Sequence, residues 1–264
     1  MRADEQFTCY MNEDRALVRA IGIVVSAAVL GAAIVACDAR GNKDAAPILL
    51  FTGTGTSRGD VAALETILDT NHFDYATASS AELNAMTEEG IRRHRLMILP
   101  GGDFVAMGNS LTPATTARIR NSVDNGLNYL GICAGAFLAG SFPQPYHSVN
   151  LTSGVQFGFY AAGPDVRKTA VAIAVAGGPT LEQYWEDGPQ LSGWGAVVAK
   201  YPDGTPAVVQ GTVGNGWVIL TGVHPEATES WRRGMTFHTP ASTDNAFAAT
   251  LIQAALNRIS LSHF

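Results

Sequence analysis

Three observations predict an α/β protein: a doubly wound, mostly parallel sheet, with antiparallel strands added in the second half. First, between Pro47 and Ile132 short apolar runs alternate with stretches of helical spacing, and no hairpin turn joins them. Second, two of those runs end directly in small residues, at Gly101-Gly102-Asp103 and at Cys133-Ala134-Gly135. Sheets of this kind place ligands outside the carboxyl ends of their strands. Third, beyond Val155 the apolar runs are joined by turn signals, Pro202-Asp-Gly-Thr and Gly214-Asn-Gly, which fit an antiparallel meander on the sheet edge.

The chain begins with a polar stretch to residue 15, then an uncharged run, Ala20 to Cys37, behind Arg15 and Arg19. Its length suits a membrane span or the apolar part of a signal peptide. Residues 1–37 are therefore read as a signal peptide or a membrane anchor, 38–46 as a small polar tether, and 47–264 as the folded domain. Ile48 to Phe51 is the first buried strand, followed by the loop Gly53-Thr-Gly-Thr-Ser-Arg-Gly59. Arg58 stands where a dinucleotide fingerprint needs its third glycine, so that reading fails. Val61 to Leu68 is helical, Phe73 to Ala76 a strand, and Ser80 to Met86 a short helix. Arg95 to Pro100 is the third strand, and Thr112 to Val123 a helix with Pro113 in its first turn. A fourth strand runs into Cys133. Strands are then expected over Val155–Tyr160, Ala170–Ala176, Ala196–Tyr201, Ala207–Val213 and Trp217–Gly222, with Thr180 to Gly193 as a loop. Asp244 to Ile259 is the closing helix, with Asp244 as its cap.

Composition narrows the function classes. The net charge is −6 and the basic residues are scattered, so no nucleic-acid surface is expected. Three cysteines, Cys9, Cys37 and Cys133, are too few for a disulfide framework. There is no CxxC or HxxxH pattern, so neither a metal nor a cofactor is expected.

The chemistry gathers at three places. Tyr129-Leu-Gly-Ile-Cys133-Ala-Gly-Ala has the strand–nucleophile–helix pattern of a nucleophile elbow, with small residues where a sharp turn needs them. A helix starting beside the sulfur favours thiolate over thiol. Gly222-Val-His224-Pro-Glu226 follows another strand. Pro225 keeps His224 extended, and residues two apart in an extended segment point the same way, so His224 and Glu226 can face one site. An imidazole can take the thiol proton, and a carboxylate can fix its tautomer. The amides of Gly101 or Gly102, with that of Ala134, could bind an oxyanion.

These motifs, in this order, resemble the class I glutamine amidotransferase-like superfamily. More closely, the chain resembles the N-terminal domain of eukaryotic biotin–protein ligases and its stand-alone bacterial relatives. Phe51-Thr-Gly-Thr-Gly-Thr-Ser, Leu99-Pro-Gly-Gly-Asp, the Cys133 elbow, Trp185-Glu-Asp-Gly-Pro and Leu220-Thr-Gly-Val-His-Pro-Glu carry this likeness. It implies a flavodoxin-like sheet with Cys133 as nucleophile, His224 as base and Glu226 as its orienter. Asp103, Tyr184 and Trp185 are the expected pocket residues. Ile34-Val-Ala-Cys37 resembles a bacterial lipobox, which implies lipidation at Cys37 and a cell-envelope location. No ligase or synthetase domain is recognisable, so hydrolysis of a small-molecule or peptide amide, including a γ-glutamyl group, is expected over amidotransfer. A non-catalytic binding or scaffolding module on the same fold is the alternative. The oligomeric state is not legible.

Overall fold

The structure, a computed structural model, describes residues 45–142 and 147–264. The expected signal or anchor segment, Cys37 and nearly all of the tether lie outside the described residues. Among the described residues, no helix is long and apolar enough to cross a membrane.

Strand β1 (Ile48–Phe51) leads through the glycine-rich loop to helix α1 (Arg58–Thr70). Strand β2 (Tyr75–Ala78) is followed by two short helices, α2 (Ser80–Ala85) and α3 (Glu88–Arg92). Ser79 and Glu82 form a reciprocal capping box at α2, which is why so short a helix starts where it does. After β3 (Leu96–Leu99) come α4 (Phe104–Ser110) and α5 (Pro113–Asp124), the latter with Pro113 in its first turn as expected. Strand β4 (Asn128–Ile132) then enters α6 (Ala134–Ala139) through Cys133.

In the second half, β5 (Gly158–Phe159) pairs only with β8 (Pro189–Gln190). The main strands there are β6 (Lys168–Val175), β7 (Thr180–Glu186), β9 (Ala196–Lys200), β10 (Pro206–Val213) and β11 (Gly216–Thr221). Helix α7 (Ala241–Asn257) closes the fold.

The nine-stranded sheet has the order β2-β1-β3-β4-β11-β10-β9-β6-β7. Its first five strands are parallel neighbours; from β10 outward the pairing is antiparallel. Alternate residues of the central strands feed two apolar layers, as strand geometry requires. Ile48, Leu50, Ile98 and Leu130 pack with α1 and α7, whereas Leu49, Phe51, Met97 and Tyr129 pack with α5 and α6.

Three expectations change. Thr180 to Gly193 is not a loop: it supplies β7 and β8. Polar Glu182 and Gln183 broke the apolar signal, yet β7 pairs with β6 over seven residues. The strand expected over Val155–Tyr160 shrinks to Gly158–Phe159. Asp244 does not cap α7, whose N-cap is Pro240; the carboxylate is instead buried and paired with Arg232.

Candidate active site

The site sits at the carboxyl ends of β1, β3, β4 and β11. Parallel pairing of β4 with β11 ends at Ile132 opposite Thr221, and one further bond, from the Cys133 amide to the Thr221 carbonyl (2.8 Å), carries it into the elbow. Cys133 and the Gly222–His224 segment therefore leave neighbouring strands side by side. Cys133 has φ +48° and ψ −101°, a backbone state that costs an L-residue about 1–3 kcal/mol. The surroundings hold it there. The Gly135 amide donates to the Pro100 carbonyl (3.1 Å), and the buried Tyr129 hydroxyl donates to the Gly135 carbonyl (2.7 Å). A Cβ on Gly135 would overlap the Leu99 carbonyl, so the helix can approach β3 this closely only with glycine.

His224 is fixed from two directions. Its amide donates to the Tyr184 carbonyl of β7 (2.8 Å), in an isolated bridge between the two residues. Its Nδ1 donates to Glu226 Oε1 (2.8 Å). From the sequence, His224-Pro-Glu226 is expected to be extended. The structure instead folds it into a turn, closed by the Ala227 amide on the His224 carbonyl (3.1 Å) and held by Asn245 Nδ2 on the Pro225 carbonyl (2.9 Å). The turn still brings imidazole and carboxylate together.

Asp60 joins them, and the sequence reading missed it. Its Oδ1 lies 3.0 Å from His224 Nδ1, off the line of the ring N–H, which is directed at Glu226. Asp60 stands three residues after Ser57, the α1 N-cap that accepts from the Asp60 amide (3.3 Å). In sequence, that spacing reads as a helix start and nothing more. Asp60, His224 and Glu226 are all buried, with donor atoms within 4.8 Å of one another. Such a trio could in principle hold a cation, but the Nδ1–H bond to Glu226 already accounts for its closest approach.

Burial and charge work against each other here. Burial opposes a charge on His224, but the facing Cys133, Glu226 and Asp60 outweigh it and hold the pKa well above the ordinary 6.5. Burial pushes Glu226 up to about 7, with His224 opposing. Burial also pushes Asp60 up, but His224 and its hydrogen-bonding neighbours prevail, and its pKa is lowered.

A cleft of about 480 Å³ opens onto these groups. Cys133, His224, Asp60 and Gly102 line it, together with three phenylalanines and an Arg167–Asp187 ion pair. Phe104 and Phe137 stack at 4.7 Å, and Phe159 packs on Phe137 at 4.9 Å while remaining 59% exposed. Cys133 is buried, and its thiol donates to the Glu186 carbonyl (3.7 Å) rather than to His224. Catalytic hydrogen bonds are often loose before substrate arrives. Among the described residues, the amides of Gly101, Gly102 and Ala134 donate to no group, and Gly102 lines the cleft.

The expected pocket residues divide. Asp103 lines the cleft, but its carboxylate is committed to capping α4 through Val105 (2.9 Å) and Ala106 (3.0 Å). Tyr184 lies against His224, ring to ring at 5.8 Å. Trp185 does not reach the site. It is 1% exposed, points to the opposite face of β7, and donates to the Gly188 carbonyl inside the core.

Fold and elbow together define the class: the chain has a class I glutamine amidotransferase-like fold. A solved glutamine amidotransferase superposes with TM-score 0.55 at 19% identity, over 69% of this chain and 92% of the other. A cytoplasmic protein from Salmonella typhimurium LT2 superposes at 0.50 and 15% identity, over 81% and 99%. Within that fold, residues 46–160 match the family described as biotin-protein ligase, N terminal. A biotin–protein ligase of Schizosaccharomyces pombe is 23% identical over 215 residues, covering 68% of this chain. The chain spans about a third of the length of that curated relative (33%).

Proposed function

We propose that this binding or amidotransferase-like module is a cysteine amide hydrolase. One observation carries the reading: Cys133 is held at positive φ at a strand end, in the same cleft as an imidazole already bonded to a carboxylate. In this scheme Cys133 Sγ attacks the carbonyl carbon of a small amide or γ-glutamyl group. The oxyanion is received by the free amides of Gly102 and Ala134. His224 hands a proton to the departing nitrogen, the C–N bond breaks, and a thioester remains. Water, deprotonated by His224, attacks the thioester, and the thiol leaves with the proton. The sum is amide plus water giving acid plus amine.

Iodoacetamide labelling tests the nucleophile without a known substrate. Native Cys133 should react faster at neutral pH than the same residue in unfolded protein, and His224→Ala should slow it. Equal rates in all three states would overturn the hydrolase reading.

A binding module is the second reading, favoured by the thiol's bond to the Glu186 carbonyl in place of His224. It requires Cys133→Ala to retain full biological activity in a deletion strain, at matched protein level. The proposal extends to location, with a lipid on Cys37 tethering the domain to the cell envelope. Mass spectrometry of the mature N-terminus tests this, and an intact residue 1–36 segment would replace the lipid with a plain anchor.

A further inference from the structure

The imidazole at this site faces two carboxylates, where a Cys-His-Glu reading needs one. The second enters from α1, at the far end of the glycine-rich loop for which the sequence offered no use. Gly101 is shaped around it: a Cβ there would overlap both Asp60 Oδ1 and His224 Cε1. Any other residue at the end of β3 would drive Asp60 and His224 apart. Gly101 thus serves the contact between these two side chains as well as leaving an amide free.

The two carboxylates are not equivalent. Glu226 takes the Nδ1 hydrogen bond at 2.8 Å and lies behind the ring, outside the cleft lining. Asp60 lies 3.0 Å from the same nitrogen, off the line of its N–H, and it lines the cleft. The ring N–H is directed at Glu226. Resting on the hydrolase reading, we propose that Glu226 aims His224 while Asp60 is a second positioning residue: it adds a further negative charge, on the cleft side of the ring, that keeps the imidazole cationic before substrate binds. The other groups facing His224 are Cys133 and Tyr184, and the Tyr184 hydroxyl donates to Glu186 Oε2 (2.5 Å). Lys168 and Arg233 line the adjoining cleft and carry positive charge, so neither can supply the anion.

The test compares Asp60→Asn with Glu226→Gln in the full chain. Each is nearly isosteric and removes charge alone. The titration midpoint of His224 is read by NMR, and the pH profile of Cys133 labelling by iodoacetamide. Removing an opposite charge at this distance is worth roughly 1–3 pKa units. Asp60→Asn should therefore lower the His224 midpoint by at least about one unit even with Glu226 intact. The pH profile of Cys133 labelling should move in the same direction and by a similar amount. Asp60→Glu should restore part of both. A purely structural role would instead lower the melting temperature and leave the midpoint in place, and that result overturns the proposal. Should Asp60→Asn fold poorly, Asp60→Ser provides the same comparison. If wild-type Cys133 labels no faster than unfolded protein, the hydrolase reading fails, while the His224 midpoints still decide the role of Asp60.

Discussion

The parallel strands have a cleft at each end, and the two clefts are built on opposite terms. At the amino ends of β3 and β4 a cavity of about 300 Å³ is lined by Arg95, Asn128, Leu256, Arg258 and their neighbours. Its polar groups are spent on structure. Arg95 donates to Asn257 Oδ1 (3.0 Å), and Arg258 donates to Asn128 Oδ1 (3.0 Å) and to the Gly126 carbonyl. Asn128 in turn accepts from the Trp217 amide (3.1 Å) and donates to the Leu256 carbonyl (3.3 Å). Together they fasten the end of α7 to the sheet. At the carboxyl ends, bonding capacity is held in reserve. Cys133 is strained, and among the described residues three amides have no acceptor and Asp60 Oδ1 and Glu226 Oε2 are buried without hydrogen-bond partners. A cavity by itself is therefore a poor sign of function; unspent strain and unspent hydrogen bonds are the better one.

That contrast can be broken by mutation, and the largest effect should come from the carboxyl end. Cys133→Ala should abolish amide hydrolysis, by on the order of 10⁴-fold or more, as nucleophile removal does in comparable sites. It should shift stability by only about 1 kcal/mol, because little volume is lost. Turnover that survives the substitution would place the chemistry elsewhere. The amino end should behave in reverse. Asn128→Ala leaves buried donors and carbonyls without partners, at about 1–3 kcal/mol for each group stranded. Denaturant unfolding should show that loss while Cys133 labelling stays unchanged; a labelling change would couple the two ends.

A smaller effect separates them by pH. Burial raises Glu226 from 4.5 to about 7, so the folded protein holds a proton that the unfolded chain has released. This group's contribution is fully present below about pH 4.5 and is lost as pH rises toward 7, at about 1.4 kcal/mol per unit of pKa difference. Glu226→Gln stays neutral throughout, so its stability relative to wild type should rise between pH 5 and pH 8. Parallel stability curves would remove Glu226 from the account. Smallest of all should be Phe159→Ala. An exposed ring costs within about 0.5 kcal/mol when truncated, but KM should rise for an amide carrying an apolar group. An unchanged KM would strip the phenylalanine cluster of a role in binding.

The elbow and the His-Pro-Glu segment were legible because each is local. Sharp turns demand small residues beside Cys133, and an imidazole two residues from a carboxylate needs only a few backbone torsions to meet it. Gly101-Gly102 was legible for the same reason, as residues that leave amides uncovered. Tyr184 and Trp185 show where such reading ends. They are adjacent in sequence, but strand alternation sends one against His224 and the other into the core, and only pairing with β6 reveals that Thr180–Glu186 is a strand at all.

The sequence by itself determined the parallel α/β half, the strand-end positions of Cys133 and His224, and the residue types that acyl chemistry requires. Periodicity and turn chemistry act over a few residues, and those features need no more than that. Tertiary structure alone decided that β7 folds back to hold the His224 amide, that Glu186 offers its carbonyl to the thiol, and that Asp60 stands beside the imidazole. These contacts join residues 40 to 164 positions apart, and the last depends on a missing side chain at Gly101. Nothing in local spacing encodes such meetings; they follow from which strands become neighbours once the sheet has formed.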